Sequence, residues 1–347
     1  MISISPSELH TVVERIVSAV GTPPDNATLM ADHLVGSHLA GHDSHGVQHL
    51  ARYVNEVRSG QIVPDAMPET VSEVAGAVLV KGNWAWGQVT ADYMTKLGIE
   101  KASTQKIALI SAVQVTHIGR LGHYVEQAAK AGIMIWLMTG GQGVDAPLAA
   151  PHGGRKALFA PNPMAMGFPT AEEHPVVWDI ATTRVAGGKI QLAHSKGQKL
   201  PAGWIIDKHG NPSTDPDDYY DGGALLPFGE HKGFGLMVAS EILGRILTGA
   251  EDYSHGGDAG VHHAKQGAAL IAIDVGVFSS SELFASRTTA LMNDIRGIPP
   301  AKGYAEVLAP GDFEQTTREK RRSAGIEIPE STWSEIVETA DSLGLTI

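Results

Sequence analysis

Asp43-Ser44-His45-Gly46, followed by His49, Arg52 and Tyr53, gathers proton-transferring and anion-binding groups around one predicted helix start. A short side-chain oxygen from Asp43 or Ser44 can cap that helix by accepting a bond from the free N–H groups of its first turn. His45 then falls in the first turn, where the partial positive charge of the helix end disfavours imidazolium. A neighbouring hydroxyl can fix its tautomer, and such a histidine gives and takes a proton near neutral pH. The same residues also fit an N-capped surface helix with incidental histidines. Two further clusters, His117-Ile118-Gly119-Arg120-Leu121 and Glu230-His231-Lys232-Gly233, set a histidine and a cation at predicted helix starts. Free N–H groups beside a cation suit the oxygens of a pyrophosphate or ribose; for each cluster, capping with solvated charges is the plain alternative.

Several chemistries lack their residues. With no cysteine in 347 residues, disulfides, thiolate catalysis and cysteine-bound zinc are excluded. Among sixteen histidines, His45 and His49 share a helix face as in a zinc protease, but Gly46 stands where that chemistry needs its glutamate base. His262-His263 cannot both face one ion from a regular strand, so no metal site is assigned. The Gly-x-Gly-x-x-Gly fingerprint, the P-loop and the Gly-x-Ser-x-Gly elbow are absent; Gly140-Gly141-Gln142-Gly143 lacks the third glycine. A net charge of −12 argues against nucleic-acid or anionic-membrane partners, while a local basic pocket stays open. The opening Met1–Pro6 has no signal-peptide character and no apolar run approaches a membrane span, so a cytoplasmic protein is expected. The length allows two or three domains, and 43% apolar with 18% charged residues fits a globular chain.

The elements that must carry these groups follow from periodicity and punctuation. Ser5-Pro6-Ser7-Glu8 reads as a capping box opening a helix to about Val20, closed by Gly21. Pro23, Pro24 and Asp25 open a second, with Ala27, Met30, Leu34 and Val35 on one face. A third should run from Ser44 to Arg58. Val71 to Lys81 alternates like one strand, and a helix is predicted over Gly87–Ala102. Ile107–Val113, a helix closing at Gly132, and Ile133–Met138 make a βαβ unit. Val176–Ile180 and Leu270–Val275 are strands, Glu230 opens a helix to Gly249, and Pro310-Gly311 precedes a charged helix and a last short one.

Taken together, Asp43–Val47, Ala85-Trp86-Gly87-Gln88, His117–Arg120, Asn162-Pro163, Asp179-Ile180-Ala181-Thr182, Gly188-Lys189, Glu230–Gly233 and Pro310-Gly311 resemble, in order, the malate/L-lactate dehydrogenase type 2 (sulfolactate dehydrogenase-like) family. The resemblance implies an α/β protein with a non-Rossmann nicotinamide-binding domain over 76–294. It also implies a helical domain built from both termini, 1–75 with 295–347. The implied reaction is hydride transfer between nicotinamide and C2 of a small 2-hydroxy or 2-oxo acid, in a homodimer. By the same resemblance His45 is the general acid/base with a pKa near 6.5, Ser44 stands beside it, and His117 borders substrate and nicotinamide. Gly119, Arg120 and Leu121, then Trp178, Asp179 and Ile180, then His231 and Lys232, and finally Pro310, Gly311 and Asp312 fall on cofactor-binding segments. The cofactor is expected to be NAD, with NADP open.

Three positions depart from the family pattern. His49 replaces an arginine that grips the substrate carboxylate, leaving Arg52 or Arg120 to serve; this argues against malate and leaves room for bulkier monocarboxylates such as aryl-pyruvates. Lys189 stands where some members carry an aspartate, and Pro161 replaces a threonine before Asn162. A cyclic imino-acid reductase is the alternative within the family. A metal-dependent, histidine-rich hydrolase or a non-enzymatic binding protein is the alternative from another class.

Overall fold

Ser5 starts the fold as its pattern demands. Its side chain accepts from the Glu8 N–H while the Glu8 carboxylate returns to the Ser5 N–H, with Pro6 in the first turn. The computed structural model describes residues 1–141, 148–253 and 265–347. After a short strand, β1 (Ile2–Ile4), come the helices α1 (Pro6–Ala19), α2 (Pro24–Leu39) and α3 (Leu50–Arg58). Leu9, Val13 and Ile16 of α1 bury against Met30 and Leu34 of α2 and Leu50 and Tyr53 of α3.

The main sheet begins with β2 (Glu69–Val74) and β3 (Ala77–Lys81). The single strand expected over Val71–Lys81 is therefore a hairpin. Ala75 and Gly76 both take positive φ, 47° and 82°, the backbone of a tight turn whose twist matches its strands. Next come α4 (Gly87–Gln105), β4 (Ile107–Val113), α5 (Gly122–Lys130), β5 (Ile133–Gly140), β6 (Met164–Phe168) and β7 (Val176–Ile180). A smaller lobe follows: α6 (Gly187–Ser195), β8 (Ile205–Ile206), β9 (Pro212–Ser213), α7 (Pro216–Tyr220) and β10 (Ala224–Leu225), its strands ordered β10-β8-β9. It leads into α8 (His231–Glu241). The helix predicted to continue to Gly249 changes to a π turn over Ile242–Ile246, where Gly244 lies so close to the Gly140 backbone that a Cβ would stand 2.3 Å from its nitrogen.

The chain closes with β11 (Gly267–Asp274), α9 (Ser281–Arg296), α10 (Asp312–Ala324), β12 (Ile326–Ile328) and α11 (Glu330–Asp341). The main sheet has the order β2-β3-β4-β11-β5-β6-β7. The β4-α5-β5 unit exists, but β11 inserts between its strands, antiparallel to both, with Leu270 opposite Ile110 and Leu137. α9 escaped the sequence reading because it buries only Met292 and so carries little apolar periodicity. At the far side, β1 pairs antiparallel with β12, Ile2 opposite Ile328. Ile326, Ile328 and Ile336 join the core of α1–α3, so both chain ends share one apolar cluster.

β11 is the strand on which the sheet core depends. Leu270, fully buried, fills the dent over Gly98 of α4, where an added Cβ would meet its Cδ2 at 2.7 Å. Leu270→Ala is expected to cost about 2–5 kcal/mol in urea unfolding. Adding Gly98→Ala in that background should recover part of the loss, because the new methyl enters the vacated space; a further loss would contradict this packing.

Candidate active site

Two fully buried histidines of α2 hold the two loops that carry the candidate groups. His38 Nδ1 accepts the Val47 N–H at 3.2 Å. A Cβ on Gly46 would lie 1.7 Å from that same Nδ1, so only glycine admits the ring. This contact breaks the segment into two 3-10 turns, Asp43–His45 and Val47–His49, and the α-helix starts at Leu50 rather than Ser44. Neither Asp43 nor Ser44 caps it. Asp43 is bound by the guanidinium of Arg321, which also donates to the His38 carbonyl, and His42 Nε2 meets Glu314 at 2.8 Å. The charged helix α10 thus clamps the turn from outside.

The second buried ring, His33, accepts the Arg120 N–H at Nε2 (3.0 Å) and stacks on Tyr124. Gly119 takes φ +71° here, and a Cβ would stand 2.2 Å from His33 Nε2. Composition offered no route to His33 and His38: both lie on α2, buried among its apolar residues, and only the tight glycine approach reveals their role.

Between these anchors three imidazoles converge. The His45 ring lies 6.0 Å from that of His117 and 6.2 Å from that of His49, and His49 and His117 are 5.1 Å apart. Ser44 Oγ is 3.1 Å from His45 Nδ1, and the Tyr53 hydroxyl 2.6 Å from His117 Nδ1. Burial pushes His45 from its ordinary 6.5 down to about 4, with His42 and Arg120 adding to the shift. Burial likewise holds His117 well below its usual range, reinforced by His49 and His45. The value near 6.5 expected for His45 is thus replaced by a lower one, and the cause is mainly desolvation rather than a helix end, since His45 sits on no α-helix terminus. Arg52 donates to Glu56 at 2.7 Å.

Adjoining this cluster, the Asp179 carboxylate accepts the Gly122 N–H at 2.7 Å, the first residue of α5. The helix start expected to receive an anionic ligand already holds a carboxylate. Burial raises the Asp179 pKa, opposed mainly by Arg120, which is itself buried with its Nε unpartnered. Leu121 belongs to the sheet core, so only its backbone is open to a ligand. Trp178 and Ile180 flank Asp179 on β7 and are half-buried. Gly311 takes φ +101° close against Pro175 and Val177, and the Pro310 carbonyl accepts the Val177 N–H. Asp312 is committed to Arg296, at 2.7 and 3.0 Å, and to the Ala309 N–H. His231 and Lys232 are exposed at the start of α8, apart from the imidazoles, tied to the end of β7 through Phe228 N–H to the Thr182 carbonyl. Pro161 keeps its carbonyl in use, accepting from Thr182. Lys189 is exposed, while Gly188 beside it packs against Ser44.

Among the described residues no three His, Asp or Glu side chains are arranged to hold a metal ion, and no helix is long and apolar enough to cross a membrane. His262-His263 and Gln142-Gly143 lie outside the described residues.

A mixed sheet without the dinucleotide fingerprint, bearing converged imidazoles near a buried Arg120 and a half-buried Asp179, has the groups for proton transfer on a small polar substrate. The chain belongs to the malate/L-lactate dehydrogenase family, whose model matches residues 4–337, and it is a hydroxy-acid oxidoreductase. It is 34% identical to hydroxycarboxylate dehydrogenase B of Escherichia coli K12, covering 97% of this chain and 93% of that protein. It is 33% identical to a malate/(S)-sulfolactate dehydrogenase of Methanothermus fervidus, covering 99% of each. The solved sulfolactate dehydrogenase of Methanocaldococcus jannaschii superposes with a TM-score of 0.89 at 30% identity, covering 99% of this chain and 98% of that one.

The buried imidazoles set a pH dependence. His33, His38, His45, His117 and His123 all have lowered values in the folded state, His45 and His123 about 4. Below about 6.5 the unfolded chain binds protons that the folded chain refuses, so stability falls with pH through that window. Asp179, raised by burial, opposes this as a single group. The urea midpoint is expected to drop steadily from about pH 6.5 to about pH 4; a flat profile would show these rings to be hydrated.

Proposed function

We propose that the protein is a nicotinamide-dependent 2-hydroxycarboxylate dehydrogenase, or 2-oxoacid reductase, with His45 as general acid/base. The convergence of Ser44–His45, His49 and His117 beside Arg120 and Asp179 carries this reading. The segments around Gly119, Asp179 and Gly311 fit a dinucleotide. Asp179 offers a carboxylate acceptor, Arg120 a buried N–H without a partner, and Gly119 and Gly311, at positive φ, hold the turns that bring these segments together. These residues, with Arg120, Leu121, Trp178, Ile180 and Pro310, would hold it; His231 and Lys232 would reach it only from the exposed start of α8. When bound, the nicotinamide supplies or takes the hydride. NAD is the preferred form in this reading, on the faint ground of the acidic surface, and the assembly is a homodimer. Residues 1–75 with 295–347 form the helical domain and 76–294 the cofactor-binding one. The shared core of both chain ends supports that division, while the pairing of β2 with β3 favours a first boundary before Glu69.

His45 does the proton chemistry. In reduction it protonates the alkoxide that develops at C2, and in oxidation it removes the hydroxyl proton. A substrate carboxylate near the ring would raise its pKa from about 4 by favouring the charged form. Ser44 Oγ at Nδ1 orients the ring. His49 lies where a carboxylate would be held, an imidazole in edge contact with His117 rather than a bidentate guanidinium, and Arg52 is engaged by Glu56. Such a pocket favours a monocarboxylate over a dicarboxylate.

NADH oxidation against a panel of 2-oxo acids and cyclic imines, with NADPH in parallel, tests the class. Silence across the panel together with stoichiometric zinc would overturn it. His45→Ala should lower kcat/KM on the order of 10²–10⁴-fold while NADH binding, followed by fluorescence, is retained. His49→Arg should shift preference toward small dicarboxylates such as oxaloacetate; unchanged preference would remove His49 from the carboxylate site.

A further inference from the structure

Tyr53 and Gln88 are absorbed by none of the roles above, yet they form a buried chain that ends on a site imidazole. Gln88, in the first turn of α4, is fully buried, and Tyr53 of α3 is 1% exposed. The Gln88 amide N–H donates to the Tyr53 hydroxyl at 2.9 Å, and that hydroxyl lies 2.6 Å from His117 Nδ1. A phenol has one proton. Its oxygen accepts from Gln88, and among the described residues His117 Nδ1 is the one other polar atom within hydrogen-bond distance of it; a ring proton on Nδ1 would leave the buried phenol proton without an acceptor, so the phenol donates to Nδ1 and the ring proton sits on Nε2. The opposite amide orientation would bury both Gln88 N–H groups unpaired. Unpaired buried N–H groups are rarer than unpaired carbonyls, and in the orientation seen Nε2 has a partner in Tyr53 while Oε1 is the atom left without one. Burial raises the Tyr53 pKa, which keeps the phenol a donor, and lowers that of His117, which keeps the ring neutral.

We infer that Tyr53 and Gln88 are positioning residues that lock His117 as a neutral Nε2–H donor, so that His117 binds a substrate oxygen and leaves proton transfer to His45. This rests on the proposed reaction for the identity of the oxygen, at C2 or in the carboxylate. The locked tautomer itself does not depend on that reaction. A ring that accepts at Nδ1 cannot act as a base at Nε2 without first losing the proton it carries there, which separates the two histidines by chemistry as well as by place.

The test is nitrogen-15 NMR of the full-length protein labelled in histidine, with the His117 signals assigned by their loss in His117→Gln. The wild-type ring should show a bare Nδ1 and a protonated Nε2 across neutral pH. A proton on Nδ1 would overturn the proposal in the unaltered protein, whatever the variants do. Tyr53→Phe keeps the ring packed against Trp86 but removes the hydroxyl. It should mix the two tautomers and lower kcat/KM for the best 2-oxo acid about 10–100-fold. Gln88→Met should do the same to a smaller degree. An unchanged tautomer in Tyr53→Phe, or a mixed tautomer with unchanged kcat/KM, refutes the locking or its use. If no 2-oxo acid or imine is turned over by the wild type, the reaction assignment fails, and the NMR result still decides the tautomer.

Discussion

The backbone N–H to imidazole bonds made by α2 are the constraint on which the site depends. His38 receives Val47 and His33 receives Arg120, so a single helix fixes the turn carrying Ser44 and His45 and the loop leading from His117. Both bonds require an uncharged ring with a free lone pair at one nitrogen. Burial supplies the first condition by holding both rings neutral. Glycine supplies the room, since a Cβ at Gly46 or Gly119 would occupy the ring's own space. Because α2 is packed along its length in the shared core of the chain ends, neither loop can shift without disturbing that core.

Around this scaffold the charges are arranged as braces. α10 sends Glu314 to His42, Arg318 to Glu126 and Arg321 to Asp43. Burial alone would raise Glu126, but the bonds from Arg318 and Lys130 outweigh it and hold its pKa at about 2. Half-buried pairs of this kind add little net stability, because desolvation offsets most of the attraction; their effect is to specify orientation. The result is a polar imidazole pocket, bounded on one side by Arg120 and Asp179, in which desolvation lowers the proton affinity of His45 and His117.

Much of the scaffold was legible from local pattern. The capping box at Ser5 and the extent of α1 were read to within a residue or two, the apolar face of α2 was read, and β4 and β7 were read in full, because each depends on contacts made within a turn or along one strand. The hairpin at Ala75-Gly76, the late start of α3 and the exposed helix α9 were missed. In each, the deciding factor was a backbone conformation forced from elsewhere or the lack of a buried face. The candidate residues followed the same division. Ser44, His45, His49 and His117 stood out by type and come together, whereas Asp312 is spent on Arg296 and Leu121 on the core.

By itself the sequence determined the type of the locally patterned elements, the absence of thiol chemistry and of the dinucleotide fingerprint, and the set of histidines available for proton transfer. These depend on composition and short-range periodicity, which survive in one dimension. Tertiary structure alone decided that β11 enters between β4 and β5, that α2 supplies two buried acceptors, and that Tyr53 and Gln88 reach His117 from separate helices. Apart from the His38–Val47 bond, nine positions apart, these join residues tens to more than a hundred positions apart. Their pairing is chosen by what the whole core can bury and satisfy at once, and no local spacing encodes it.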